Sequence, residues 1–273
     1  MFANAIDDSL MGVDLVLRGD DHLSNTPRQI ALLESLDLSL PHYAHVSLFT
    51  GSDGAPLSKR NGSLSISDLK EMGYLPIAVS NYLSRVGHTM NDNDLKTQKE
   101  LADSFETKNI SSSPSKFDLD QLLFWQKKAV DNLTIDECAS WLSGNLDDLP
   151  PSVQERSFIE LIKENINFPK EAREYVNNLF VNALSGDEEN LKIIQSAGQE
   201  FFILALEVVN AGLSDWKQTC KDIEARTGKK GKELFMPLRV AITGQTRGPE
   251  LDKVIELIGL ERVLERLKEA SQI

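Results

Sequence analysis

The stretch Asn4-Ala-Ile-Asp-Asp-Ser-Leu-Met-Gly-Val-Asp-Leu-Val-Leu-Arg18-Gly-Asp-Asp-His22-Leu-Ser-Asn-Thr26-Pro-Arg-Gln29 decides the fold of this 273-residue chain. The apolar positions between Val13 and Arg18 suit a buried parallel strand, and Asn4 to Met11 ahead of it reads as a helical turn or two. Thr26 predicts a helix start, with Pro27 at the first helical position and Gln29 at the reciprocal capping position. Ile30, Leu32, Leu33 and Leu36 then form its apolar face. A second strand-like run, His45 to Thr50, follows. Strand, turn, helix and strand make an α/β unit, roughly half of a nucleotide-binding sheet.

Directly after that second run comes Gly51-Ser-Asp-Gly-Ala-Pro-Leu-Ser58-Lys59-Arg60-Asn-Gly62. Gly51, Gly54 and Gly62 allow backbone conformations that other residues resist, and Ser58, Lys59 and Arg60 place a hydroxyl, a compact cation and a planar fork on one loop. Such a loop can close over phosphates; it can equally be a solvated turn.

Beyond it the pattern turns helical. Pro76 to Val86, Thr97 to Phe105 and Phe117 to Lys128 predict helices in a polar, serine-rich setting, and Thr134 with Glu137 forms a capping box. No strand is readable from Thr134 onward. Helices are expected at about Ser152 to Asn165, Lys170 to Leu184, Asp187 to Val209, Ser214 to Thr227, Gly231 to Ile242, Pro249 to Ile258 and Leu260 to Ala270. Trp141, Phe180, Phe201, Phe202 and Trp216 fall on apolar faces and are read as core. The fold class is α/β followed by all-α.

With 41% hydrophobic and 26% charged residues, the chain has material for two or three packed units. No apolar run reaches membrane-spanning length and no basic-then-apolar leader opens it, so the expected location is the cytoplasm, with no membrane partner. Cys138 and Cys220 show no ligand spacing, and no metal site is expected. The net charge of −13 runs against an RNA partner until its distribution is considered. Asp131 to Glu200 holds 5 basic against 14 acidic residues, whereas Arg226 to Arg247 holds Arg226, Lys229, Lys230, Lys232, Arg239 and Arg247 against Glu233 alone. That island is either an RNA footprint on an acidic protein or a solvated inter-helix loop.

The Asn4–Gln29 run and the Leu57-Ser58-Lys59-Arg60 loop together resemble the second half of a class I glutamyl-tRNA synthetase catalytic domain of the bacterial type, whose KMSKS-type loop reads in this form. The resemblance continues through Gly73 to Pro76, Asn81 to Leu83, Phe117-Asp118 and Trp125, and returns at Phe235 to Gly244 and Gly248 to Leu251. It implies a partial class I nucleotide-binding (Rossmann-like) fold and a stem-contact domain, followed by an α-helical anticodon-binding region. The corresponding divisions are 1–50, a remnant of the catalytic domain; 51–130, stem contact with the loop; and 131–200 and 201–273, two helical anticodon-binding subdomains. Glutaminyl-tRNA synthetases carry β-barrels in the last position, so glutamate is the implied amino acid.

The same resemblance implies ATP as a substrate, with Mg2+, together with L-glutamate and the tRNA for glutamate as partners and no DNA. Lys59 would be the catalytic cation at the pyrophosphate end, with Ser58 and Arg60 shaping the ATP-binding loop. Arg18 would pair with the glutamate carboxylate and Asn4 would lie beside it. Asp8, Asp20, Asp21 and His22 are read as hydrogen bonding around the pocket, His45 as closing its strand, and His42 and His88 as surface or turn residues. Arg239, Arg247, Lys229, Lys230 and Lys232 would contact tRNA.

The family's HIGH-type signature, which holds adenine and phosphates, does not occur in the 273 residues. Pro56 and Gln126-Lys127 also depart from the family pattern. The expectation is a C-terminal portion of a glutamate–tRNA ligase, inactive alone, with a non-catalytic tRNA-binding paralogue as the alternative. The 273-residue chain is accordingly predicted to show no glutamate-dependent ATP–pyrophosphate exchange, with or without tRNA; exchange above that of a Lys59→Ala variant contradicts this.

Overall fold

A computed structural model describes residues 2–51, 54, 57, 64–90, 92–111, 113–184, 188–212 and 215–273. Ser58, Lys59, Arg60 and Pro56 lie outside them. The chain divides into two compact units, Met1–Ala129 and Val130–Ile273.

In the first unit α1 (Phe2–Leu10) packs on α2 (Thr26–Ser35), burying Ala5, Ser9 and Leu33, and Ser9 and Ser39 join hydroxyls at 2.8 Å. β1 (Leu15–Gly19) and β2 (His42–Val46) pair in parallel, with Leu15 opposite His42 and Arg18 opposite His45. The parallel strand is therefore present, but it is not buried: Leu15 and Leu17 remain 50% and 48% exposed, because β2 is its one neighbour among the described residues. The expected His45–Thr50 strand is split between β2 and β3 (Phe49–Thr50).

The helix start also differs from the sequence reading. A 3-10 turn, Asp20–Asn25, runs straight into α2, and the N-cap is Asn25 with helical torsions. No cap bond forms there, and the Thr26 hydroxyl is directed to Arg18 and His45 instead.

β3 pairs in parallel with β4 (Ser115–Lys116), and Leu57 donates back to the Phe49 carbonyl at 3.1 Å. α3 (Ile66–Met72) opens with a Ser65/Asp68 capping box and closes on left-handed Gly73. α4 (Pro76–Leu83), α5 (Gln98–Asp103) and α6 (Leu119–Asn132) follow. The Gln126 side chain, on α6 and fully buried, accepts from Leu75 N–H at 2.9 Å and donates to the Gly73 carbonyl, which fixes the α3–α4 turn. Arg85 lies 4.0 Å over the Trp125 ring and bonds Asn81, Asp92 and the Asp94 carbonyl, while the Lys128 ammonium donates to the Asn93 carbonyl. His88 is not a free surface residue: it stacks on Phe105 at 5.2 Å and bonds the Glu106 main chain.

The described residues of the second unit form helices and the loops that join them, with no strand among them. Its elements are α7 (Ile135–Trp141), α8 (Glu155–Ile162), α9 (Pro169–Val176), α10 (Glu188–Ala197), α11 (Gln199–Ala211), α12 (Trp216–Thr227), α13 (Lys232–Thr243) and α14 (Leu251–Ala270). The Thr134/Glu137 capping box opens α7 as read, and α9 runs on into a π turn, Asn177–Val181. Phe158, Ile162, Phe202, Val209, Leu238, Ile242, Val254, Val263 and Leu267 are buried in its core.

The single helix expected over Asp187–Val209 is two, because Gly198 takes φ 85°, ψ 151° between α10 and α11. Gly259 does the same inside α14 at φ 80°, ψ 163°, separating the two segments the sequence predicts there. Both glycines sit in a region that side chains with a Cβ essentially do not enter. Nothing lies within 4 Å of a Cβ built at Gly259, so the cost of substitution there is backbone strain alone. Gly259→Ala is predicted to destabilise the protein by about 2 kcal/mol, read as a lowered urea midpoint; an unchanged midpoint refutes it.

Candidate functional sites

Each unit carries a candidate polar site among its described residues. In the first, β1 and β2 run side by side and α2 begins above their ends, so Arg18, Thr26, Tyr43 and His45 meet. The Arg18 Nη2 donates to Thr26 Oγ1 at 2.8 Å, Thr26 Oγ1 lies 3.0 Å from His45 Nε2, and Arg18 Nε donates to the same ring nitrogen at 3.5 Å. Arg18 can only donate, so Nε2 is the acceptor in that contact. The guanidinium also lies 5.0 Å over the Tyr43 ring.

Burial pushes the Tyr43 phenol up, offset by Arg18 and reinforced by Asp8, and its buried hydroxyl bonds no described residue. None of these Arg18 partners is a carboxylate, and no carboxylate pairs with Arg18 among the described residues. A half-buried cation without a counter-charge is a site for an anion.

Asn4 sits exposed on α1 and makes no side-chain hydrogen bond among the described residues. Asp20, Asp21 and His22 are exposed on the 3-10 turn, where His22 touches Asp21 at 3.6 Å and Asn25 at 3.1 Å. Sequence reasoning assigned His45 to strand closure and did not single out Tyr43. The alternation that puts 43 and 45 on one face of β2 was the signal available.

In the second unit a cleft of about 480 Å3 opens between α9 and the loop after α13. Glu171, Glu174, Tyr175 and Asn178 line one wall at helical i, i+3, i+4, i+7 spacing, and Gly244 to Gly248, with Arg247, line the other. Sequence reading picked out Arg247 and missed that polar stripe. The loop is held at several points. Asn190 Nδ2 donates to the Gly244 carbonyl at 2.7 Å, the Thr243 hydroxyl bonds Gln245, and Arg239 Nη1 donates to the Pro249 carbonyl at 2.9 Å.

The structure separates the cations of the basic island by use. Lys229 donates to the Ala197 carbonyl at the end of α10 and lies 5.0 Å over the Phe201 ring. Lys230 pairs with Glu224 at 3.1 Å and Arg226 with Glu207 at 3.1 Å. Arg239 is engaged with Pro249. Arg247 and Lys232 are exposed and pair with no described side chain. Both cysteines are buried, and burial raises Cys138 and pushes Cys220 up to about 11, so neither is a ready thiolate at neutral pH.

Comparison with known proteins matches each part of the chain to a family. Residues 1–124 match the family described as tRNA synthetases class I (E and Q), catalytic domain, and residues 119–271 match the anticodon binding domain family. The chain belongs to the anticodon binding domain family over more than half of its length, and that domain is preceded by class I tRNA synthetase catalytic-domain sequence. Its similarity to glutamate–tRNA ligases runs along its whole length. It is 45% identical over 273 residues to glutamate–tRNA ligase 1 of Halorhodospira halophila and 41% identical over 272 residues to glutamate–tRNA ligase 2 of Coxiella burnetii. The chain spans 57% and 58% of the length of these two relatives. In fold it matches the crystal structure of a glutamate tRNA ligase from Elizabethkingia meningosepticum in complex with its amino acid. The TM-score is 0.82, over 99% of this chain and 59% of that one, at 23% identity. Among the described residues no helix is long and apolar enough to cross a membrane.

The division of labour among the arginines is measurable. Arg239→Ala removes a charged donor from a main-chain carbonyl and is predicted to cost about 2 kcal/mol in urea unfolding. Arg247→Ala should stay within about 0.5 kcal/mol of the parent. Equal losses in the two variants contradict the assignment.

Proposed function

We propose that this chain serves a glutamate–tRNA ligase of the cytoplasm, which joins L-glutamate to its tRNA through a glutamyl adenylate formed from ATP. The observation that carries the reading is the uncompensated Arg18 guanidinium, braced by Thr26 and Tyr43 at the end of β1. Its planar fork suits a carboxylate, and the similarity of this chain to glutamate–tRNA ligases supports reading that carboxylate as glutamate's. Asn4 would lie beside the same substrate.

The in-line attack of the glutamate carboxylate on the α-phosphorus leaves pyrophosphate and concentrates negative charge there. Lys59 would neutralise that charge, with Ser58 and Arg60 supporting the loop. Mg2+ would enter as the counter-ion of the ATP phosphates. By this reading residues 1–50 contribute the end of the catalytic domain, 51–130 the stem contact, and 131–200 with 201–273 the two halves of the anticodon-arm cage. Arg247 and Lys232 are the cations best placed for RNA. Lys229, Lys230 and Arg239 would contribute through the frame they hold or by exchanging a surface partner for phosphate.

Two measurements on the 273-residue chain test this. L-glutamate titration is expected to show binding that Arg18→Ala weakens at least about tenfold, the loss of one charge-assisted pair; identical titrations refute the carboxylate assignment. Filter binding is expected to favour glutamate tRNA over an unrelated tRNA, with the log–log salt slope flattened by about one unit in each of Lys232→Ala and Arg247→Ala. Equal affinity for both tRNAs overturns the anticodon-arm reading.

A further inference from the structure

The most completely buried charged side chain of the second unit is Arg266, on the last segment of α14 and 1% exposed. It is not spent on an ion pair alone. Its Nη1 meets Glu269 at 3.2 Å, while Nη2 donates to the carbonyl of Asn178. One turn earlier Arg262 pairs with Glu265 at 3.0 Å and donates from Nε to the carbonyl of Leu179 at 3.0 Å. Two consecutive carbonyls of the π turn are thus each held by a guanidinium from the same helix.

The turn explains why they need holding. The last carbonyls of a helix have no partner within it, and here α9 ends in a π turn in which Asn182 N–H reaches back to Asn177 at 2.7 Å. Cations at this end also complement the helix dipole. An apolar side chain of similar size would fill the site without desolvating a charge. It would leave the two carbonyls unpaired and the turn free to relax into ordinary α-helical register.

That register matters at one residue. Asn178 lines the cleft beside Tyr175, Asn190 and Arg247. Its Cβ lies 3.6 Å from a Cβ built at Gly244, whose carbonyl Asn190 holds. A shift of one position in the turn would rotate Asn178 off the cleft wall. An asparagine amide offers two donors and an acceptor in one plane, the complement of a base edge, and unstacked bases of single-stranded loops are read in this way.

We infer that Arg262 and Arg266 are positioning residues for RNA recognition, acting through Asn178, which the π turn presents as a base-selecting amide of the cleft. This rests on the RNA reading above and adds to it which residue selects and what orients it.

The test uses the 273-residue chain, a glutamate tRNA transcript and transcripts with each anticodon base replaced in turn. Asn178→Ala is expected to reduce the affinity ratio between the parent transcript and one of the replaced ones by about tenfold. The salt slope should not change, since no phosphate contact is lost. Arg262→Met and Arg266→Met should lower the same ratio, Arg262→Lys should keep it, and Arg262→Met combined with Asn178→Ala should lose no more than Asn178→Ala alone. Should Arg266→Met fail to fold, the Arg262 pair decides. If Arg247→Ala weakens binding while Asn178→Ala leaves every ratio unchanged, the inference fails and the RNA reading stands. If neither variant affects binding, both fail. Equal loss for all transcripts in Arg262→Met, together with a lowered unfolding midpoint, reduces the arginines to a structural role and overturns the inference.

Discussion

A guanidinium reaches main-chain carbonyls with a rigid fork of donors, and this protein uses that contact at several stretches of irregular backbone. Arg85 gathers the loop at Asp92 and Asp94 in the first unit. In the second, Arg239 fixes Pro249, Arg262 fixes Leu179 and Arg266 fixes Asn178. Helices satisfy their own backbone except at the ends, so an all-helical unit concentrates its unpaired carbonyls in the connections. A lysine would supply charge there without the planar geometry; where Lys128 and Lys229 do similar duty, each also rests on an aromatic face. The Arg247 cleft depends on this bracing, since the loop that forms one of its walls is irregular backbone.

The same contacts reorganise the electrostatics. A net charge of −13 leaves few cations to spare, and much of the basic island is committed to carbonyls or carboxylates of its own unit. Among the described cations without a carboxylate partner are Arg18 at the end of β1, and Arg247 and Lys232 on the second unit's surface. Isolated cations in an acidic background favour ligands that bring both charge and shape over any polyanion, because long-range attraction is weak and repulsion elsewhere is strong. The acidic residues around the cleft, Glu171, Glu174 and Glu189, act in the same direction.

Much of this was legible in the residues themselves. The run Asn4–Gln29 contained the strand, the helix and Arg18, and the absence of strand patterns after Thr134 marked the helical half, because period and capping are local properties. Capping boxes at Thr97 and Thr134 lie where local chemistry places them. The errors fell where neighbours decided. Thr26 has the chemistry of a cap, but its hydroxyl oxygen accepts from Arg18 and meets His45, partners that no reading of positions 20–30 contains. His88 looked solitary until Phe105 and Glu106 closed on it.

The sequence by itself determined the family resemblance and the α/β-then-helical order. Only the tertiary structure decided which cations are free. Arg239 and Arg247 stand eight residues apart in one basic run, and nothing local distinguishes them. One meets the carbonyl of Pro249 and the other meets solvent, because a long flexible side chain takes its partner from whatever the fold brings within reach. Likewise Asn178 reads as an ordinary helix-end residue until a helix eighty-eight positions away, through Arg266, holds its carbonyl. Partners so far apart in the chain leave no periodicity between them, and their meeting is settled by packing alone.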